Sequence, residues 1–302
     1  MKVTDMSPLK ANSLCLLSML VWAMGLPAAE YLIGPVPPLP LTAMRLGLAA
    51  LALLPVWLAV EGWSALRHAP WGRGIAIGSL MLGLAGFLLV VAQAITGAVT
   101  VAVISATMPV IGIAIECVLD GRRLTLLLVL GVLLSLAGGL LAYAEGMGGF
   151  HLGFGALCAF GSILAYTFGS RLTVTGLPDM TPLGRCSLTM AGAAIATTAG
   201  ALLAAAFGAP GPDWAALGMR EALALAVFSL VGIALCQILW IASVGHLGIG
   251  LASLHMNAAP FYVMIFLFLL GQPWNWIQAL GATIVGAGVL IAQSRPARPA
   301  TE

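Results

Sequence analysis

The segment ALALAVFSLVGIALCQILWIASVGHLGIGLASLHMNAAPFYVMIFLFLLGQPWNWIQALGATIVGAGVLIAQS, residues 222–294, contains no Asp, Glu, Lys or Arg over 73 consecutive positions. One buried helix of a water-soluble domain needs far fewer. The hydrocarbon layer of a bilayer takes about 20 apolar residues per helical crossing, so this segment holds three crossings joined by tight turns. A second charge-free run, Gly74 to Ile115, holds two more. The chain is therefore expected in a membrane, where each polar side chain left inside needs a partner or a purpose.

The whole composition agrees. The 302 residues are 61% hydrophobic and 7% charged, against roughly 25% charged in a soluble globular chain. A net charge of +2 gives no bulk field for nucleic acid. The expected partners are the lipid bilayer and a small-molecule substrate. Cys15, Cys117, Cys158, Cys186 and Cys236 are scattered, odd in number and without a CxxC pair. They read as small hydrophobes between helices rather than as a disulfide framework or a metal site. Lys2 and Lys10 precede an apolar run from Leu14, and Pro27-Ala28-Ala29 offers small residues, the elements of a secretory signal. The first span is nonetheless read as retained, because the rest of the chain is also membrane-embedded.

Apolar runs bounded by charges, glycine and proline predict an all-α integral membrane fold of ten transmembrane helices. Their expected limits are 12–33, 40–60, 72–93, 97–118, 124–143, 152–169, 183–207, 222–243, 248–270 and 276–293. The separations at Ile95-Thr96-Gly97 and at Gly245-His246-Leu247-Gly248 are the weakest. With a cytoplasmic N-terminus, Lys2, Lys10, Arg67, Arg73, Arg122, Arg123, Arg171, Arg295 and Arg298 all fall at cytoplasmic ends, and Arg220 alone opposes them. That bias predicts an even number of spans with both termini in the cytoplasm, as a multi-pass protein of a bacterial inner membrane. The tail from Arg295 reads as a short disordered end.

The two halves resemble one another at fixed offsets. Pro38 precedes Arg45 by seven residues, and Pro178 precedes Arg185 by seven. Gly97 and Pro109 match Gly248 and Pro260 at an offset of 151, and Gly131 and Gly138 match Gly281 and Gly288 at 150. The matched prolines and in-span arginines carry more weight than the glycines, of which the chain has 37. The expected division is residues 1–145 and 146–302, five helices each. An odd number per half makes the halves enter the membrane from opposite sides, the inverted repeat that places a transported solute near the midplane.

Trp22-Ala23-Met24-Gly25, Pro37-Pro38 and Ala43-Met44-Arg45, with the mid-span prolines of helices four and nine and the glycines of helices five and ten, resemble the EamA-type exporters of the drug/metabolite transporter superfamily. The resemblance covers about residues 12–293. It implies a ten-helix carrier of small metabolites, often an exporter of amino acids or related solutes. The family often has Gly-Glu after its fourth and ninth helices. Here Asp120-Gly121 and Gly271-Gln272 stand there, which loosens assignment to a subfamily.

Candidate working residues follow from position. Pro109 and Pro260 each remove a helical donor and displace the carbonyl four residues earlier, Ser105 and Met256, and Pro27 does the same to Ala23 beside Trp22. A displaced carbonyl is tolerated against protein or a wet path, so these prolines read as kinks, either for packing or for gating. Gln237 and Trp240, three apart on one face, suit an amphipathic solute. Trp22 with Gln93 offers a similar pair, and Tyr166 is a further candidate. Gln93 and Gln237 read equally as hydrogen-bond links between helices. Asn257, three residues before the second kink, is the expected solute hydrogen-bond partner there. His255 points elsewhere and serves either a cross-helix bond or a proton. Glu30, Arg45 and His255 are the gate or proton candidates. Glu30, Arg45, Glu116 and Arg185 each lie within about five residues of a predicted span end, where snorkelling relieves the cost of burial. Glu30 and Arg45 are placed to pair. Trp274 and Trp276 read as interfacial anchors, and Gly74-x3-Gly78 as a weak helix-association motif.

The sequence has no HExxH, no Walker A loop and no pair of intramembrane carboxylates, and Gly146-Met147-Gly148-Gly149 does not complete GxGxxG. No cofactor and no enzyme activity are expected. The reading is a secondary transporter exporting small neutral or zwitterionic metabolites by alternating access. The alternatives are an intramembrane enzyme acting on lipid-linked substrates, suggested by His68, His151, His246 and His255, and a non-transporting accessory subunit. The enzyme would need acid and base groups clustered at one depth, and these histidines scatter along the chain.

Overall fold

The computed structural model describes residues 6–121, 124–146 and 153–293. Lys2, Arg122, Arg123, Gly148-Gly149, His151, Arg295, Arg298 and the C-terminal tail lie outside the described residues. The described chain is helical between short turns. It runs α1 (Pro8–Glu30), α2 (Pro38–Arg67), α3 (Trp71–Ile77), α4 (Leu84–Ser105), α5 (Met108–Leu119), α6 (Leu126–Gly146), α7 (Phe154–Gly176), α8 (Pro182–Ala206), α9 (Met219–Ala226), α10 (Cys236–Leu247), α11 (Ile249–Ser253), α12 (Ala259–Leu269) and α13 (Trp276–Gln293). π-helical turns, Gly78–Gly83 and Val227–Leu235, join α3 to α4 and α9 to α10 without a break, and a 3₁₀ turn, Leu254–Ala258, joins α11 to α12.

Seven of the resulting runs are long and apolar enough to cross a membrane: Pro8–Glu30, Pro38–Arg67, Trp71–Ser105, Phe154–Gly176, Pro182–Ala206, Met219–Leu247 and Ile249–Leu269. Met108–Leu119, Leu126–Gly138 and Ala279–Gly288 are shorter apolar helices. Local chemistry sets the starts. Ser7 caps α1 through Lys10 N (3.3 Å), and Thr181 caps α8 through Gly184 N (3.0 Å). Proline occupies the first turn of both, where its missing N–H costs nothing.

Three glycines interrupt the helical path: Gly62 within α2, with φ 80 and ψ 172, and Gly97 and Gly248, whose following segments are each met by a carboxylate. Gly97 has φ 80 and ψ 169, and Gly248 has φ 80 and ψ 164, a region open essentially to glycine alone. The helical segment that follows each begins with unpaired N–H groups and a positive dipole end. A carboxylate from elsewhere meets each one. Glu30 Oε1 accepts from Ala98 N at 3.0 Å, and Glu116 Oε1 accepts from Gly250 N at 2.7 Å. Pro109 and Pro260 stand in the first turns of α5 and α12, each just after a non-α turn, whereas Pro27 lies within α1. Replacing Glu116 by alanine is expected to lower stability by about 1–2 kcal/mol, the worth of a helix cap. Glutamine, which keeps an acceptor, should lose less. Thermal unfolding in detergent reads both.

The bundle closes through small residues. The run from α3 to α4 lies backbone-close to α8, so a Cβ on Gly78 would sit 1.9 Å from the Thr189 carbonyl oxygen. A Cβ on Gly192 would sit 2.6 Å from the Ile75 Cα. Ser79 Oγ uses the proximity to donate to the Gly192 carbonyl at 2.9 Å. Gly74-x3-Gly78 thus joins two helices of the same chain. Gly25 and Gly232 make a similar approach between α1 and the second π-helical turn, and Gly288 of α13 faces the Gly131 carbonyl of α6. Such contacts are what van der Waals packing inside lipid requires, since apolar burial gives no driving force there. Trp57, Trp240, Met19 and Leu26 are fully buried in the resulting core.

Candidate functional site

Seven helical runs converge on one internal cavity of about 50 Å³. Its wall includes Met19 and Trp22 of α1, Arg45 of α2, Leu82 of the first π-helical turn and Ala85 of α4. Ser162 and Tyr166 of α7, Met190 of α8, Ile233, Cys236 and Gln237 of the second π-helical turn and α10, and Met256 of the 3₁₀ turn complete it. The cavity therefore lies between residues from both parts of the chain. Its volume suits a few water molecules, well below the 300–1,000 Å³ of a pocket around a small organic ligand. No solute-sized space is formed between these side chains in this structure.

The polar wall is specific. Tyr166 Oη donates to Gln237 Oε1 at 2.8 Å, and Gln237 Nε2 is buried without a partner. Behind the wall Trp240 stacks on Tyr166 with centroids 6.1 Å apart, and its indole N–H donates to Ser170 Oγ at 2.9 Å. Ser162 Oγ donates to the Ala85 carbonyl at 2.7 Å, tying α7 to α4. Arg45 is 2% exposed, with its guanidinium carbon 4.2 Å from the centre of the Phe228 ring, and its Nε and Nη1 have no hydrogen-bond partner.

Of the residues expected at a site, Trp22, Tyr166, Gln237 and Arg45 meet at this cavity. Gln93, Trp240 and Asn257 lie off its wall. Gln93 instead donates to the Leu26 carbonyl at 2.6 Å, beside Pro27, and links α4 to α1. Trp240 is fully buried as the layer supporting Tyr166. Asn257, 2% exposed, has neither side-chain polar atom partnered. His255 Nδ1 sits 3.2 Å from the Ala252 carbonyl of its own helical run. Glu30 is taken up by Ala98 N and Arg45 lies inside the bundle, so the expected pair between them does not form. Snorkelling fails for both in-span arginines, which are 2% and 5% exposed. Proximity to a span end gives a side chain the reach for water, but Arg45 faces the bundle interior and Arg185 turns back onto the Leu177 and Pro178 carbonyls. Sequence reasoning missed Phe228, Ser162 and Met256. Only the Ser229-to-Gly232 spacing beside Phe228 hinted at a close-packed inner face.

The ends of the bundle are tied as well. Arg171 of α7 meets Asp120, just past α5, at 2.5 Å, so those two chain positions lie at the same level. Arg73 Nη1 donates to the Gly176 carbonyl at 3.0 Å, and Thr181 Oγ1 donates to Glu61. At the opposite end, the Arg220 guanidinium lies 4.0 Å over the Tyr31 ring.

Apolar helices of this length, packed through glycine around a small internal cavity with a few polar groups in its wall, define a multi-pass integral membrane protein. Among the solved structures that match it is a crystal structure with a TM-score of 0.76 at 21% sequence identity, over 95% of this chain and 97% of that chain, a likeness of fold. No curated protein matches the chain in sequence. The model of the EamA-like transporter family matches twice, over residues 9–144 and 153–293, and the chain belongs to that family. Its members are membrane transporters of the drug/metabolite type rather than enzymes.

Proposed function

We propose that the protein is a secondary carrier that exports small neutral or zwitterionic metabolites, amino acids among them, by alternating access. Ten crossing segments form two oppositely oriented halves, with the path running through the cavity between them. Counting the three shorter apolar helices beside the seven long runs supports that number. The equivalent breaks at Gly97 and Gly248, and the equivalent first-turn prolines Pro109 and Pro260, support the duplication. With Lys and Arg loops on the inside, both termini face the cytoplasm of a bacterial inner membrane.

The observation that carries the reading is the small, mostly apolar cavity, with Arg45, Tyr166 and Gln237 in its wall, where residues of the two family-matched segments meet. A cavity without solute-sized space does nothing for a carrier, so it must open. The energetics favour an opening. Gln237 Nε2 is buried and unpaired, at a cost of about 1–3 kcal/mol, and water or solute admitted beside it on opening would recover part of that. Gln237 with Tyr166 orients a polar group, while Trp22, Met190 and Met256 cover apolar surface.

Purified protein in sealed liposomes tests this directly. Radiolabelled amino acids should enter with saturable kinetics, and unlabelled solute trapped inside should accelerate entry by exchange. Absence of uptake across a full amino-acid and metabolite panel would contradict the proposal.

A further inference from the structure

We propose that Arg45 is the receptor for a carboxylate on the carried solute. The inference rests on the carrier reading and narrows its substrate class to small carboxylates with an apolar remainder.

Two arginines stand at matched positions in the two halves of the chain. Arg185, seven residues after Pro178, spends its guanidinium on the backbone. Its Nε donates to the Leu177 carbonyl at 2.8 Å and its Nη2 to the Pro178 carbonyl at 2.8 Å, clamping the turn that precedes α8. Arg45, seven residues after Pro38, makes no such clamp. Its Nε and Nη1 are buried without a hydrogen-bond partner, and its contact is the face of Phe228. The structural role that explains Arg185 therefore does not explain Arg45.

Arginine stays protonated in proteins, so the cavity carries a positive charge. Among the described residues, no Asp or Glu lines it. A buried cation with unpaired donors is costly, and the missing element is an anion. The Phe228 ring supports the guanidinium from one face and leaves its donor edge for a planar acceptor. A carboxylate would fit an edge made by Nη2 with either Nε or Nη1, in two parallel hydrogen bonds. Gln237 Nε2 is a second unpaired donor on the same wall. The rest of the wall, with Trp22, Ile163, Met190 and Met256, is apolar and thioether surface. A single fixed positive charge in such a setting matches a monoanionic group on an otherwise apolar or zwitterionic solute better than a polyanion.

The test pairs each carried amino acid with its own carboxamide, which keeps the amine and side chain and loses the anion. Both compete against the radiolabelled amino acid in proteoliposomes. In the wild type the acid should half-inhibit at a concentration at least about tenfold lower than the amide, the scale of charge-assisted hydrogen bonds. In Arg45→Gln that ratio should fall to about one, with Arg45→Lys in between. Equal inhibition by acid and amide in the wild type overturns the assignment, and so does a ratio unchanged in Arg45→Gln. If Arg45→Gln does not fold, the wild-type ratio and Arg45→Lys decide: a ratio that stays at its wild-type value in Arg45→Lys overturns it. If amides or amines are carried as well as acids, the carrier reading stands and the carboxylate receptor falls. If nothing in the panel is carried, both fall together.

Discussion

Gly78→Ala is expected to cost at least about 3 kcal/mol, the upper part of the range for forcing an extra methyl into a packed core. The new Cβ would lie 1.9 Å from the Thr189 carbonyl oxygen and 2.8 Å from its carbonyl carbon. Backbone cannot rotate away as a side chain would, so the two helices must separate. Separation also breaks the 2.9 Å bond from Ser79 Oγ to the Gly192 carbonyl. The variant should show a lowered midpoint of thermal unfolding in detergent and a reduced yield of monodisperse protein. Gly47→Ala is the control, because nothing lies within 4 Å of a Cβ there. It should be neutral or slightly stabilising, as alanine is the better helix former. Equal behaviour of the two variants would mean that the run from α3 to α4 does not pack on α8 as described.

Gln237→Ala should raise the half-saturating solute concentration about tenfold or more. The side chain occupies two positions in the argument. Its Oε1 accepts from Tyr166 Oη at 2.8 Å, and its Nε2 is unpaired on the cavity wall. Removal leaves a buried phenol without its acceptor and takes away one donor for solute, each worth about 1–3 kcal/mol. Tyr166→Phe separates the two effects. It deletes the same hydrogen bond from the other end but keeps the ring stacked on Trp240 and the amide in place. Initial uptake rates over a range of solute concentrations, with unfolding midpoints measured in parallel, distinguish binding from stability. The alanine variant should lose affinity beyond the loss in the phenylalanine variant. Equal affinity loss in both would reduce Gln237 to a strut for Tyr166.

The membrane class and most helical segments were legible because lipid punishes charge, and the charge-free runs mark where lipid is. Ends defined by charge were less accurate. The sixth predicted helix stopped at 169, yet α7 runs to Gly176 past Arg171. Arg171 does not terminate the helix, because its side chain reaches Asp120 at the bundle end. The second predicted helix stopped at 60, and the helical path does break there, at Gly62 with φ 80 and ψ 172, before a short further helical stretch to Arg67. Sequence spacing placed Gln237 and Trp240 on one face correctly, but it could not show that Tyr166 from another helix would lie against the indole and take the cavity position. Depth along a helix can be read from sequence. Which face turns inward depends on neighbours that only the packed bundle supplies, and that is why Arg45 read as a snorkelling residue.

The central claim is that the cavity opens to each side of the membrane in turn. Cys236 lines that cavity and is a free thiol, 2% exposed in this structure. In a variant that keeps Cys236 and replaces Cys15, Cys117, Cys158 and Cys186 with alanine, a small membrane-impermeant thiol reagent is added to oriented proteoliposomes from outside or trapped within. The account expects modification from either side, slowed in both cases by the carried solute. Modification from one side only, or from neither, would contradict it.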